Sequence, residues 1–101
     1  MIIALRSGPR LKLERDTSYT AGERFRVTSV EDGFPYGYVE RVFRPSHIRH
    51  GRMQTSPWWR PIPEGDTPDE PVQTRYEALV LLHFYHVGRI GGTKWRMNHE
   101  G

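Results

Sequence analysis

Between Arg41 and Arg60 lie five arginines, two histidines and no acid, and the stretch closes on Trp58, Trp59 and Arg60. Guanidinium groups pair with phosphate oxygens, and exposed aromatic rings stack on bases. Arg41, Arg44, Arg49, Arg52, Trp58 and Arg60 are therefore candidates for gripping a nucleic acid. The competing reading is a solvated loop whose tryptophans are buried. The next stretch, Pro63 to Pro71, holds Glu64, Asp66, Asp69 and Glu70 and no base. It can neutralise the arginines from within the same molecule.

Histidine offers a second chemistry. His47 and His50 lie three apart in the basic stretch, and His83 and His86 lie three apart further on. A zinc or nickel site needs three or four converging nitrogen and oxygen ligands. Nothing in the sequence brings the two pairs together, so neither a metal nor another cofactor is expected. Catalysis has no better footing. The chain has no cysteine, no phosphate-cradling glycine loop and no paired histidines of the H-E-x-x-H kind. Gly88-Arg89-Ile90-Gly91-Gly92 follows a helical pattern, whereas phosphate capture needs glycines ahead of a helix N-terminus. The chain reads as a non-enzymatic protein. A further surface comes from Leu81, Leu82 and Tyr85, with Trp95 and Met97 in the tail. They suit a protein or dimer interface, or else a core covered by the chain's own ends.

These residues need elements to position them. The clearest is a helix over Thr74–Val87, where Tyr76, Leu79, Val80, His83, Phe84 and Val87 fall on one apolar stripe. Thr74 and Glu77 form a capping box at its start, and Gly88 stands where a helix-terminating residue is wanted. Ahead of it the pattern is strand-like. Residues 2–6 read as a short strand and Leu11-Lys12-Leu13 as a second strand or an arm. Residues 24–30 alternate, as do residues 36–44, and the two runs should pair as a hairpin across Asp32-Gly33-Phe34-Pro35. Pro45–Pro57 reads as a long loop. Residues 58–62 read as a further strand, at an edge because Pro61 cannot donate to an inner ladder. Residues 89–97 read as a glycine hinge followed by a short strand or an arm. The sum is α+β: a small antiparallel sheet of three to five strands against one C-terminal helix. Its expected core is the helix stripe with Phe25, Val27, Val39, Phe43 and one tryptophan.

At 101 residues the chain makes one domain with a modest core. Its formal net charge is +3, and thirteen of its fifteen basic residues are arginine. That bias fits phosphate recognition, and it equally fits a GC-rich coding sequence. The absence of cysteine excludes disulfides and suits a reducing, cytoplasmic setting. No apolar run approaches the length of a membrane span.

Tyr36-Gly37-Tyr38-Val39, Trp58-Trp59-Arg60 and Thr74-Arg75-Tyr76-Glu77-Ala78 together resemble the three-stranded-sheet-plus-helix modules of AP2-type and phage-integrase arm-binding domains. The resemblance covers about residues 24–87. It implies DNA contacts from the sheet face, which adds Arg24 and Arg26 to Arg41 and Arg60 as candidates. The chain departs from that pattern in its Pro45–Pro57 stretch, in Pro61 and Pro63, and in residues 1–23, which have no counterpart. In composition it is similar to short proteins of actinobacterial phages, for which binding a host protein is the implied role. Two expectations result: nucleic-acid binding through the arginine and tryptophan surface, or binding of a host protein through the helix and tail.

Overall fold

The computed structural model describes residues 1–6, 8–49 and 51–100, and the surroundings of side chains over 1–6, 8–44 and 55–88. The elements are β1 (Ile2–Ala4), β2 (Arg10–Arg15), β3 (Arg24–Ser29), β4 (Pro35–Arg49), β5 (Arg52–Pro63) and α1 (Arg75–Glu100). The strands form one antiparallel sheet in the order β1-β2-β3-β4-β5, each paired with its neighbour in sequence. The fold is α+β, a small sheet packed against one helix. Among the described residues, no helix is long and apolar enough to cross a membrane.

Strand alternation sets the buried face. Leu11 and Leu13 of β2, Val27 of β3 and Val39 of β4 are buried, while Lys12, Glu14 and Arg26 point the other way and are exposed. Leu13 lies opposite Val27, Phe25 opposite Val39, and Val39 opposite Pro61. This apolar sheet face meets Ala78, Leu79 and Leu82 of α1, all at most 1% exposed. Phe25 and Trp59 pack at its margin with ring centroids 6.2 Å apart. The Arg75 guanidinium sits 5.5 and 5.6 Å from those two rings.

α1 starts as its sequence directs, with Thr74 Oγ1 accepting from the Glu77 amide at 3.1 Å. Two expectations about the helix are corrected. It does not stop at Gly88 but runs on through Gly91 and Gly92 to Glu100, so the expected hinge and strand are helix. Glycine weakens a helix without ending it, and no proline follows Pro71. Its buried face is also rotated from the expected stripe. Tyr76, Phe84 and Val87 are exposed, and the small Ala78 faces the sheet with Leu79 and Leu82 on either side. Phe43, expected in the core, is 62% exposed.

Pro45–Pro57 is not a loop. β4 pairs with β5 from Gly37–Pro63 out to Arg49–Arg52, with a bulge between Pro45 and His47. Gly51, at φ 73°, sits in the connecting turn. β3, in contrast, pairs with β4 only as far as Arg24–Glu40. A two-stranded ribbon therefore outruns the sheet. The prolines read as loop punctuation, yet a ribbon that no third strand flanks among the described residues leaves room for residues that donate nothing to a ladder.

One glycine is dictated by packing. Gly37 has φ 126°, and a Cβ built there would stand 2.0 Å from the Ile62 carbonyl oxygen of β5. Only glycine permits this close crossing of β4 and β5 at the base of the ribbon.

Candidate nucleic-acid interface

The sheet face away from α1 carries a cross-strand row of charge. Arg24 lies opposite Glu40, and Glu40 lies opposite Arg60. Beside this row Arg26 pairs with Tyr38, and further along the ribbon Val42 pairs with Trp58 and Arg44 with Ser56. Strand alternation puts Arg24, Arg26, Arg44, Trp58 and Arg60 on this one face.

Arg24 is the fixed point. Its Nη2 and Nε donate to Asp16 Oδ2 at 2.7 and 3.0 Å. Its guanidinium lies 4.3 Å from the Tyr19 ring centroid and 4.6 Å from that of Tyr38, a cation between two aromatic rings. Asp16 also accepts from the Ser18 hydroxyl at 2.5 Å. That bond first, and then Arg24, hold its carboxyl below the usual carboxylate range. Tyr19 donates its hydroxyl to Glu40, which pushes the phenol up. The β2–β3 loop is thereby tied to the centre of the sheet.

Arg26 is exposed, donates to the Tyr38 hydroxyl at 2.9 Å, and lies 5.5 Å from that ring's centroid. With Glu14, Arg15, Asp16, Thr17, Ser18 and Tyr38 it lines a shallow depression of about 200 Å³. Arg44 is exposed and rides 5.0 Å from the centroid of the half-buried Trp58, whose Nε1 donates to Ser56 Oγ at 3.3 Å. Arg60 is half-buried. Among the described residues, Arg26, Arg44 and Arg60 make no ion pair, whereas Arg10, Lys12, Arg24 and Arg41 do, with Glu31, Glu14, Asp16 and Glu23.

Arg41 does not join this face. It stands opposite Trp59 on the α1 side of the sheet. It donates to Glu23 at 3.2 Å and lies 5.2 Å from the Phe43 ring, with its Nε buried and unpartnered. Grouping it with Arg24, Arg26 and Arg60 ignored the two-residue period. Arg49 and Arg52 are register partners at the ribbon tip. Their side chains lie outside those described, as does that of His47, and His50 lies outside the described residues altogether. Among the described residues, no group of three or more His, Cys, Asp or Glu converges as a metal site.

Two acids of the Pro63–Pro71 stretch, Asp66 and Asp69, lie beside the helix. Asp69 accepts from the Tyr85 hydroxyl at 2.5 Å, which lowers the carboxyl and raises the phenol. Asp66 borders a hollow shared with Leu81, Phe84, Tyr85 and Gly88. Of the candidate protein-interface residues, Leu82 is 1% exposed and belongs to the core, a correction that follows from the rotated helix. Leu81 is half-buried and Tyr85 exposed. Trp95 and Met97 lie on α1, with side chains outside those described.

The aromatic clamp of Tyr19 and Tyr38 on Arg24 went unnoticed in the sequence. Its traces were there: Tyr38 sits on the alternating face opposite Arg26, and Asp16-Thr17-Ser18 is a side-chain-capped turn. No protein-family model, curated protein or solved structure matches this chain.

Proposed function

We propose that the chain is a small non-enzymatic nucleic-acid-binding module that works in the cytoplasm. The β4–β5 ribbon is its principal contact, and the adjoining sheet face its second. One observation carries the reading. Past the Glu40–Arg60 pair the ribbon holds Arg41, Arg44, Arg49 and Arg52 and no acid, and it projects past the rest of the sheet by roughly 25 Å at strand rise. A two-stranded ribbon is narrow enough to enter the major groove of a duplex, where arginines meet both phosphates and base edges. Arg26, Arg44 and Arg60 continue the cationic surface onto the sheet. The reading agrees with what the resemblance to AP2-type and arm-binding modules implies.

The test replaces residues 43–57 by a two-residue Asn-Gly turn, leaving the sheet, the core and α1 in place. Fluorescence anisotropy with a labelled DNA duplex at low salt is expected to show binding by the wild type and near-complete loss with the shortened ribbon. Equal binding by both would end the proposal.

A second reading has its own observation. The outer side of α1 exposes Tyr76, Phe84, Tyr85 and Val87. That ridge supports a protein partner, as expected for a phage-type accessory protein that modulates a host factor.

A further inference from the structure

On the sheet face away from α1, Glu14 of β2 and Arg26 of β3 are register partners. Opposite charges directly across two strands stand close enough to pair. Among the described residues, however, Glu14 pairs with Lys12, and Arg26 pairs with no acid. Glu14 Oε1 holds Lys12 Nζ at 2.8 Å, and Arg26 Nη1 donates to the Tyr38 hydroxyl at 2.9 Å. Both side chains line the depression of about 200 Å³ that opens beside Tyr38, Thr17 and Ser18.

We propose that this depression receives a single unpaired guanine base at the end of a duplex that the ribbon holds. The inference rests on the nucleic-acid reading and names the base that the sheet face takes.

The order of donors and acceptors is the first argument. Among the described residues, Arg26 keeps Nε and Nη2 for a ligand, and Glu14 keeps Oε2. Lys12 holds the Glu14 carboxyl below the usual carboxylate range, so at neutral pH it only accepts. Guanine presents N7 and O6, which accept, and beside them N1–H and the N2 amino group, which donate. A guanidinium spans the first pair. A carboxylate takes the second when the base is out of its duplex. Adenine would turn its amino group toward the guanidinium and a lone pair toward the carboxylate, leaving both protein groups unsatisfied. Cytosine keeps the order but offers the carboxylate one donor group in place of two, so it ranks second.

Place is the second argument. The row Glu14, Arg26, Tyr38 adjoins the row Arg24, Glu40, Arg60 at the root of the ribbon, about 7 Å away at strand rise. A base just past the end of a duplex gripped by the ribbon is within reach. Asp16, on the rim, is no rival acceptor, because Ser18 and Arg24 occupy its two oxygens.

Fluorescence anisotropy of the full chain at low salt tests this. One labelled duplex is left blunt or given a one-base unpaired end of each of the four bases, on either strand. The guanine end is expected to bind about tenfold tighter than the adenine or thymine end. Hypoxanthine, which lacks the N2 amino group, is expected to lose part of that gain. Glu14→Gln is expected to erase the preference while the blunt duplex binds no more weakly. The same variant should melt with the wild type, since an exposed pair with Lys12 adds little stability. Arg26→Ala is expected to erase the preference and to weaken the blunt duplex as well. Equal binding of all four ends, a preference for any other base, or a guanine preference that survives Glu14→Gln overturns the inference. If the blunt duplex is still bound in those cases, the nucleic-acid reading stands; if no duplex is bound, both fall.

Discussion

Arg24 and Arg44 show how two arginines on one face come to have different work. Arg24 spends its donors on Asp16 and its flat faces on Tyr19 and Tyr38, so it holds the β2–β3 loop against the sheet. Arg44 is exposed and, among the described residues, rests on Trp58. Arg24→Ala is expected to lower the unfolding midpoint in urea while leaving the salt dependence of binding almost unchanged. Arg44→Ala is expected to do the reverse, and a result the other way round would reassign both. Gly37→Ala forces a side chain into the Ile62 carbonyl at a positive φ. It should cost about 2–5 kcal/mol in urea unfolding. His83 supplies a pH effect. Burial first, then the neighbouring His86, push its imidazole below the ordinary range, and its Nδ1 has no partner. The unfolded chain therefore takes up this proton before the folded one does. Stability from this group is present above the ordinary histidine pKa and is lost as pH falls from there toward the lower folded value. Urea midpoints measured across that range should fall on acidification, and His83→Leu should flatten the fall.

At the scale of elements, the strands were legible where one face meets solvent and the other the core. Phe25 and Val27 alternate with charge, and that period marked a strand, while the shorter alternation of Leu11 and Leu13 read as a strand or an arm. The helix start was legible from Thr74, whose hydroxyl does cap the Glu77 amide. Its phase was not. α1 is apolar around more than one side, and bulky Tyr76 and Phe84 outweigh Ala78 in any reading by hydrophobicity. Close packing against the sheet instead favours the small residue at the contact. The ribbon was hidden by Pro45 and Pro57, which mark loops in most contexts and are here absorbed by a bulge and by open edges. Two truncations test the phase. Leu79→Ala removes a fully buried side chain and should cost about 2–5 kcal/mol. Phe84→Ala, at low protein concentration, should change stability by no more than about 0.5 kcal/mol. If Phe84→Ala proved the costlier, the helix would face the sheet by its other side.

For the molecule as a whole, the sheet and helix form a base, and the ribbon reaches out from it. The acidic stretch lies against α1 through Asp69 and Tyr85. Arg24, Arg26, Arg44 and Arg60 lie on the face away from the helix, and Arg49 and Arg52 pair at the ribbon tip. A surface of this kind binds polyanions by releasing their counterions, so affinity falls as salt rises, by a slope of about 0.9 per phosphate contacted on a B-form duplex. The most direct measurement of the central claim is that slope for a DNA duplex, in the wild type and in a variant with Arg44, Arg49 and Arg52 all changed to alanine. The account predicts steep salt dependence in the wild type, with the slope reduced by about 2–3 in the variant and the fold unchanged by circular dichroism. Binding with the same slope in both, or no binding by the wild type at low salt, would contradict it.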